Sequence, residues 1–297
     1  MMDFFARTDL ACENFGDREG EIKGADWSVE RINGFSVGRL HIVSEDAAQE
    51  LGKPRGVYVT VECGKPSMLG EAEYEVLSRV VADELRGMAE RLTGKAINSD
   101  FCILVAGLGN AGLTADAIGP KTVQGLTATR HLRDHEETLY RELGCCALSA
   151  LATGVLGQTG IETQELVRGA VRAITPDLVL AVDALAARSC DRLATTVQIS
   201  DVGIHPGSGV GNHRAALTEE TLGVPVMAVG VPTVVDSATL VYDALREAGI
   251  DRVDPTLESV LQNRKSFFVS PKESDVITEA HATLLARSIG LAFTGIL

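Results

Sequence analysis

The chain has few aromatic residues and a shortage of positive charge. Phe, Trp and Tyr make up 4% of the 297 residues, and 27 Lys and Arg stand against 41 Asp and Glu, a formal net charge of -14. This charge repels a phosphate backbone, and no stripe of Lys and Arg offsets it. We therefore expect no direct binding of nucleic acid.

Long hydrophobic runs are also missing. No apolar stretch approaches the ~20 residues that span a bilayer, and the charged start Met-Met-Asp-Phe-Phe-Ala-Arg lacks the apolar core of a secretory signal. The six cysteines form no Cys-x-x-Cys pair and no zinc-ribbon spacing. We expect a cytoplasmic protein with free thiols, no membrane contact and no structural zinc.

What the chain does have is an alternation of short β-rich runs with amphipathic helical patterns. It predicts one α/β domain over residues 1–297, with a mostly parallel sheet flanked by helices. The polar, glycine-rich first ~55 residues predict an irregular N-terminal arm. The expected strands are Val57–Cys63, Cys102–Ala106, Leu178–Val182, Thr195–Ile199 and Val224–Val231, and the expected helices are Glu71–Leu92, Thr163–Ile174 and Ser274–Leu291.

A glycine loop follows the second of these strands. Gly107-Leu-Gly-Asn-Ala-Gly112 matches the pattern of a dinucleotide-binding turn, which leaves a nucleotide-binding oxidoreductase as an alternative. The loop continues through Asp116 to Pro120, however, and proline is tolerated only near a helix start. We therefore expect the helix to begin around Asp116, at the sheet edge where active sites collect. The simpler interpretation of Asp116 is a helix cap.

A second carboxylate, Asp183, follows the apolar strand Leu178–Val182. If the two strands are neighbours, Asp183 faces the same crevice as Asp116. Two adjacent carboxylates do not both ionise easily, so one donates a proton while the other accepts one, as acid–base peptide hydrolysis requires. The alternative for Asp183 is a helix cap or a buried ion pair with Arg188.

Several blocks of the sequence resemble the germination protease family of endospore-forming bacteria. The last block is long and unusual, and together the blocks cover most of the chain. They are Arg7-Thr-Asp-Leu-Ala11, Gly107-Leu-Gly-Asn110 with Asp116-Ala-Ile-Gly-Pro120, Gly157-Gln-Thr-Gly-Ile-Glu-Thr163, Pro176-Asp-Leu-Val with Asp183-Ala-Leu-Ala-Ala-Arg-Ser189, and residues 199–214, Ile-Ser-Asp-Val-Gly-Ile-His-Pro-Gly-Ser-Gly-Val-Gly-Asn-His-Arg.

The resemblance implies a fold like that of the hydrogenase-maturation proteases and a catalytic pair formed by Asp116 and Asp183. One aspartate would activate water and the other would protonate the scissile carbonyl, with no cofactor; which does which is left open. The substrates would be small acid-soluble spore proteins, cut during germination in the forespore or spore core. The resemblance also implies a homotetramer.

The family is made as a precursor that removes its own N-terminal segment at a site like those of its substrates, a Glu followed by an apolar residue. Thr8-Asp-Leu-Ala-Cys-Glu13 fits this pattern with Asp in place of Glu. We therefore predict self-cleavage between Asp9 and Leu10, with residues 1–9 as a short propeptide. The alternative is a flexible terminus.

An acidic protease that cuts beside Glu needs a local cation, for which Arg188, Arg192 and Arg214 are candidates. We expect Arg188, Arg214 and His205 to bind substrate, although structural ion pairs would also explain the arginines. His131 and His135 have helical i, i+4 spacing but lie in a polar run, which favours a solvated helix face over a metal site. A metal-dependent maturation-type protease remains an alternative.

Overall fold

The computed structural model describes residues 8–16, 22–207, 214–250, 254, 256–257, 259–260 and 267–296. Within them the strands form one open sheet in the order β1-β2-β3-β7-β8-β6-β4-β5, and β9 pairs with β8. The strands are β1 Ala25–Ile32, β2 Phe35–Ile42, β3 Gly56–Glu62, β4 Cys102–Leu108, β5 Ala147–Gly154, β6 Leu178–Ala187, β7 Thr196–Ser200, β8 Val226–Asp236 and β9 Phe268–Val269.

The sheet is mixed, which corrects the expectation that it is mostly parallel. Strands β5, β4, β6 and β8 are parallel neighbours and form what we call the parallel half. Strands β7, β3, β2 and β1 run antiparallel to their neighbours and form the antiparallel half. The α/β class and all five expected strands are confirmed, to within two residues at their starts.

The expected irregular N-terminal arm was wrong for residues 25–42, which form the β1–β2 hairpin. Asn33 and Gly34 make its two-residue turn, with φ values of 51° and 95°. Both values are positive, and Asn-Gly is the sequence that favours such turns. The edge strand β1 is largely exposed, so its polar composition obscured the strand pattern.

Helices cover both faces of the sheet, as expected. The three expected helices are confirmed as α3, α8 and α11, and none of the helices in the described ranges is long and apolar enough to cross a membrane. The helices are α1 Ala11–Gly16, α2 Glu45–Leu51, α3 Glu71–Thr93, α4 Ile118–Gln124, α5 Arg130–His135, α6 Glu137–Leu143, α7 Leu156–Thr159, α8 Thr163–Ile174, α9 Glu219–Leu222, α10 Ser237–Glu247 and α11 Ser274–Ile289.

The two faces of the sheet are covered differently. Helices α3 and α11 cover one face, where Leu85 and Leu285 pack on strand residues such as Val105. On the opposite face, α8 packs on β4 and β6, whereas α2 packs on β2 and β3. Asp183 lies on this second face, between the part covered by α8 and the part covered by α2. The candidate site is located there.

Candidate active site

The loop after β4 carries Asp116 on its last turn. A short 3-10 turn, Thr114–Asp116, precedes α4, so the α-helix begins two residues after Asp116. The Asn110 amide N–H donates to Asp116 Oδ2 over 2.9 Å. Gly109 has a φ of +106°, and a Cβ there would lie 2.1 Å from the Asp116 carbonyl oxygen. Glycine is therefore required where the loop folds back on Asp116.

Two threonine hydroxyls from distant parts of the chain hold this turn. Thr233 of β8 donates to the Ala115 carbonyl over 2.6 Å, and Thr278 of α11 donates to the Thr114 carbonyl over 3.1 Å. Both threonines are buried. The position of Asp116 is thus set by the core of the protein, and neither threonine was identified from the sequence.

Asp183 lies on β6, one residue beyond the last one that pairs with β4. That last pair joins Gly107 to Val182, after which β6 continues along β8 to Ala187. Asp183 is 6% exposed, and the Ala184 N–H donates to its Oδ1 over 2.9 Å. The strands that carry the two aspartates are neighbours, which was the condition of the prediction, and β6 continues past the end of its pairing with β4.

The first turn of α4 connects the two aspartates. A Cβ on Gly119 would lie 2.3 Å from the Leu108 carbonyl oxygen and 2.5 Å from that of Val182. The helix backbone therefore lies directly on β4 and β6, three residues after Asp116 and beside the residue that precedes Asp183. In the structure the two predicted acids lie near enough for the charge of Asp116 to raise the pKa of Asp183.

The two carboxyl groups differ in their environments. Burial raises the pKa of Asp183 well above its ordinary value, and the nearby charge of Asp116 raises it further. Burial also raises the pKa of Asp116, but the Asn110 N–H and the positive charge of Arg214 oppose this effect. The environment therefore favours the protonated form more strongly at Asp183 than at Asp116.

The glycine loop does not form a dinucleotide-binding turn. In such a turn a helix begins at the third glycine, whereas here Gly112 lies in an exposed loop and α4 begins at Ile118. A Cβ on Gly107 would lie 2.3 Å from the Gly119 carbonyl oxygen, so this glycine admits α4 against β4. The glycines serve the placement of Asp116.

Residues 8–16, which we call the N-terminal segment, lie beside the protruding end of β6. The Asp9 N–H donates to the Ala186 carbonyl over 2.8 Å, and the Ala186 N–H donates to Asp9 Oδ2 over 2.9 Å. Leu10 is completely buried in an apolar cluster with Leu185 and Ala187. The predicted cleavage bond is therefore seated at the site, where the charge of Asp9 also acts on Asp183.

Glu13 anchors the other end of this segment. Its carboxylate accepts hydrogen bonds from the Arg188 and Ser189 N–H groups at 2.8 and 2.9 Å and from the Thr8 hydroxyl. The Arg188 guanidinium donates to the Glu13 carbonyl. Arg188, predicted to bind a substrate carboxylate, thus does contact a glutamate of its own chain, and the carboxylate is bound by backbone N–H groups.

The other predicted residues are distributed around this region. Arg214 acts on Asp116, as described above, and His205 is exposed at the rim of a small cavity that Asp9 also lines. Arg192 pairs with Glu62 over 3.3 Å, a structural ion pair. His131 and His135 are exposed on α5, and no three potential metal-ligating side chains cluster among the described residues.

Two cavity residues, Lys53 and Gln198, were not identified from the sequence. Both contact the Asp9 carbonyl oxygen: Lys53 Nζ at 3.0 Å and Gln198 Nε2 at 2.9 Å. Lys53 follows α2 in a polar stretch that carries no distinguishing signal. Gln198 carries a weak sequence signal, because it is a single amide side chain between the apolar Val197 and Ile199 of a buried strand.

Two carboxyl groups at the carboxyl edge of an open α/β sheet, beside a bound peptide segment, define an acid–base site suited to peptide hydrolysis.

Comparison with known proteins supports the same class of protein. The family model for germination proteases matches residues 7–248. The germination protease of Caldanaerobacter subterraneus subsp. tengcongensis is 38% identical over 96% of this chain and 93% of the relative. That of Clostridium acetobutylicum is 37% identical over 96% and 94%, and that of Bacillus subtilis is 43% identical over 82% and 66%.

The chain therefore belongs to the germination protease family, which confirms the resemblance noted in its sequence, and it is a peptidase. Its substrates are accordingly proteins.

Proposed function

We propose that this peptidase is an endopeptidase that initiates the degradation of small acid-soluble spore proteins during germination. The observation that carries the proposal is the pair of half-buried Asp116 and buried Asp183, with a peptide segment of the chain beside it. In this proposal the enzyme acts in the forespore or spore core as a homotetramer of single-domain chains. It binds no nucleic acid directly and needs no cofactor.

The two aspartates divide the work according to their environments. Asp116 carries the charge, because Arg214 and the Asn110 N–H favour its ionised form, and it takes a proton from the attacking water. Asp183 begins protonated, because burial and the charge of Asp116 favour its neutral form, and it supplies a proton in the same reaction. The proposed base is therefore Asp116 and the proposed acid is Asp183.

The enzyme is made as a zymogen that cuts itself between Asp9 and Leu10. This part of the proposal is supported by the position of the N-terminal segment, with Asp9 bonded to Ala186 and Leu10 buried beside Leu185. Substrate peptides then bind where the released residues lay, and Arg188, Arg214 and His205 surround them. The anchoring of Glu13 by the Arg188 and Ser189 N–H groups is a pattern for binding an acidic substrate side chain.

The test is digestion of a purified small acid-soluble spore protein by the chain that lacks residues 1–9. We expect cleavage after Glu that persists in a chelator and falls by about 10²–10⁴-fold in Asp116→Asn and in Asp183→Asn. Asp134→Asn, at an exposed ion pair on α5, is the matched control and should keep full activity. Activity lost to the chelator would instead support a metal-dependent maturation-type protease, and an active Asp183→Asn variant would overturn the proposed pair.

A further inference from the structure

The Asp9 carbonyl oxygen lies just before the predicted cleavage bond and accepts hydrogen bonds from two side chains that the acid–base pair does not explain. Lys53 Nζ donates to it over 3.0 Å and Gln198 Nε2 over 2.9 Å. The two donors come from different parts of the chain, the end of α2 and the middle of β7. A carbonyl oxygen has two lone pairs, so these donors satisfy it completely.

The orientation of the Gln198 amide is determined by its second partner. The Ala11 N–H donates to Gln198 Oε1 over 2.6 Å. Since a backbone N–H can only donate and a carbonyl can only accept, the oxygen of the amide must face Ala11 and its nitrogen must face Asp9. Gln198 is 7% exposed and thus held in place. It spans the cleavage bond, with one contact on each side.

Lys53 donates hydrogen bonds to carbonyl groups of the residues that self-cleavage would release. Among the described residues, its ammonium group donates to the carbonyls of Thr8 and Asp9, both at 3.0 Å. Burial lowers the pKa of Lys53, whereas the charges of Asp9 and Glu13 raise it. Loss of residues 1–9 would leave this desolvated cation without its hydrogen-bond acceptors. A substrate carbonyl would restore them.

The sheet register places Gln198 on the same face as Asp183, two strands away. Asp183 of β6 pairs with Gly230 of β8, which in turn pairs with Gln198 of β7. Partners in adjacent strands point to the same face, and strands lie ~4.8 Å apart, so the backbones at Asp183 and Gln198 are roughly 10 Å apart. Gly230 lies between them without a side chain, and the Leu185 side chain packs over it; a Cβ there would lie 2.7 Å from both the Asp183 carbonyl oxygen and Leu185 Cγ.

We propose that Lys53 and Gln198 are catalytic residues that bind the carbonyl oxygen of the scissile bond and stabilise the negative charge that develops on it. This inference rests on the proposed function. The water oxygen bonds to the carbonyl carbon, its proton passes to the Asp116 carboxylate, and the π electrons of the carbonyl move to the oxygen held by Lys53 and Gln198. When the carbonyl re-forms, the carbon–nitrogen bond breaks. Because Lys53 and Gln198 stabilise the negative charge, the oxygen needs no proton, and the proton of Asp183 goes to the leaving nitrogen.

The test compares steady-state constants for an internally quenched peptide of residues 3–16, cut by the chain lacking residues 1–9. We expect Lys53→Met and Gln198→Glu each to lower kcat by about 10²–10³-fold, as loss of one oxyanion donor does elsewhere, with KM changed less than about threefold. Lys95→Met is the matched control, because its ammonium pairs with Asp177 at the surface, and it should keep both constants. An unchanged kcat, or a loss confined to KM, would overturn the proposal.

A pH profile separates catalysis from a structural role. The Gln198→Glu variant carries an acceptor where a donor is needed, but a protonated glutamic acid donates again, so its kcat relative to the unmodified enzyme should recover as the pH falls. A merely structural residue would give a ratio independent of pH, and that result would count against the proposal.

If Lys53→Met fails to fold, Lys53→Arg provides a second test. Arginine retains a charged donor, so this variant should keep kcat within about tenfold. A loss as large as that expected for Lys53→Met would contradict the proposed role.

The outcomes for the two proposals differ. If Asp116→Asn and Asp183→Asn cut this peptide at full rate while the Lys53 and Gln198 variants are slow, the acid pair is wrong and the carbonyl-binding pair stands. If the acids are required and Lys53 and Gln198 are not, the reverse holds. An unmodified chain that does not cut the peptide would overturn both.

Discussion

The two halves of the sheet contribute different chemistry to one site. The parallel half carries Asp116 and Asp183, where β4 ends beside β6. The antiparallel half contributes Gln198 and, just before β3, Lys53, and it holds the Asp9 carbonyl. The acids occupy the usual position at the carboxyl ends of parallel strands, whereas the carbonyl-binding groups depend on strands brought together from distant parts of the chain.

Strand β8 joins the two halves of the sheet. β8 pairs in parallel with β6 and antiparallel with β7, so it belongs to both. Its Gly230 lies between Asp183 and Gln198, and the Leu185 side chain packs over it. Substitutions at the junction and within each half should therefore have separable effects.

The largest effect is expected where the halves meet. Gly230→Val would place its Cβ 2.7 Å from the Asp183 carbonyl oxygen and Leu185 Cγ and would force these groups to shift. We expect peptidase activity to fall by at least about 10²-fold, since displacement of a catalytic group by ~1 Å has that cost. The measurement is kcat/KM on the peptide of residues 3–16. Gly169→Ala, on α8 with no atom near the added Cβ, is the control and should be fully active. Equal activity of both variants would show that the packing around Gly230 does not position the catalytic groups.

A substitution within the parallel half should destabilise the fold. Gly119→Ala would bring a Cβ within 2.5 Å of the Leu108 and Val182 carbonyl oxygens, and neither backbone can yield easily. We expect α4 to be displaced and the free energy of unfolding to fall by about 1–3 kcal/mol, measured by urea denaturation. The Gly169→Ala control should instead gain up to about 1 kcal/mol as a helical alanine. A stable Gly119→Ala variant would mean that α4 does not lie on the strands as described.

The parallel half was also the half that the sequence predicted well. Its buried strands are nearly continuous apolar runs, such as Leu178-Val-Leu-Ala-Val182, and each acid directly follows an apolar run or its turn. Such patterns depend only on local sequence, so Asp116 and Asp183 could be located before the fold was known. The strand Asp183 occupies extends farther than predicted, because pairing with β8 continues after β4 has ended.

The antiparallel half could not be predicted to the same extent. The β1–β2 hairpin is polar on its exposed edge, and its Asn33-Gly34 turn was its only strong signal. Lys53 and Gln198 meet at the Asp9 carbonyl although 145 positions of sequence separate residue 53 from residue 198. Nothing local requires their contact. Residues that act together through strand pairing alone leave little trace in a single sequence.

A smaller effect is expected at the anchor of the N-terminal segment. Glu13→Gln replaces one accepting oxygen by a donor that faces the Arg188 or Ser189 N–H, both of which point at the carboxylate. Leaving such a buried group unsatisfied costs about 1–3 kcal/mol, which should appear as faster hydrogen exchange of residues 8–16. Glu137→Gln, at an exposed ion pair with Arg141, is the control and should exchange like the unmodified chain. Unchanged protection in Glu13→Gln would show that the contacts of Asp9, Leu10 and Ala11 hold the segment without the Glu13 anchor.

The smallest effect is expected on stability at the acid pair. Asp183 binds its proton more tightly in the folded chain than in the unfolded one, because burial and Asp116 raise its pKa above the ordinary 3.8. The unmodified protein should therefore lose stability from this group as the pH rises from near 3.8 toward the folded-state pKa. Asn does not titrate and can still accept the Ala184 N–H, so Asp183→Asn should become progressively more stable than the unmodified chain, by about 1 kcal/mol near neutral pH. Urea denaturation across this pH range measures the difference, with exposed Asp134→Asn as the control that should show no such growth. A stability difference that shrinks as the pH rises would mean that Asp183 is held ionised, and the roles of acid and base would have to be exchanged.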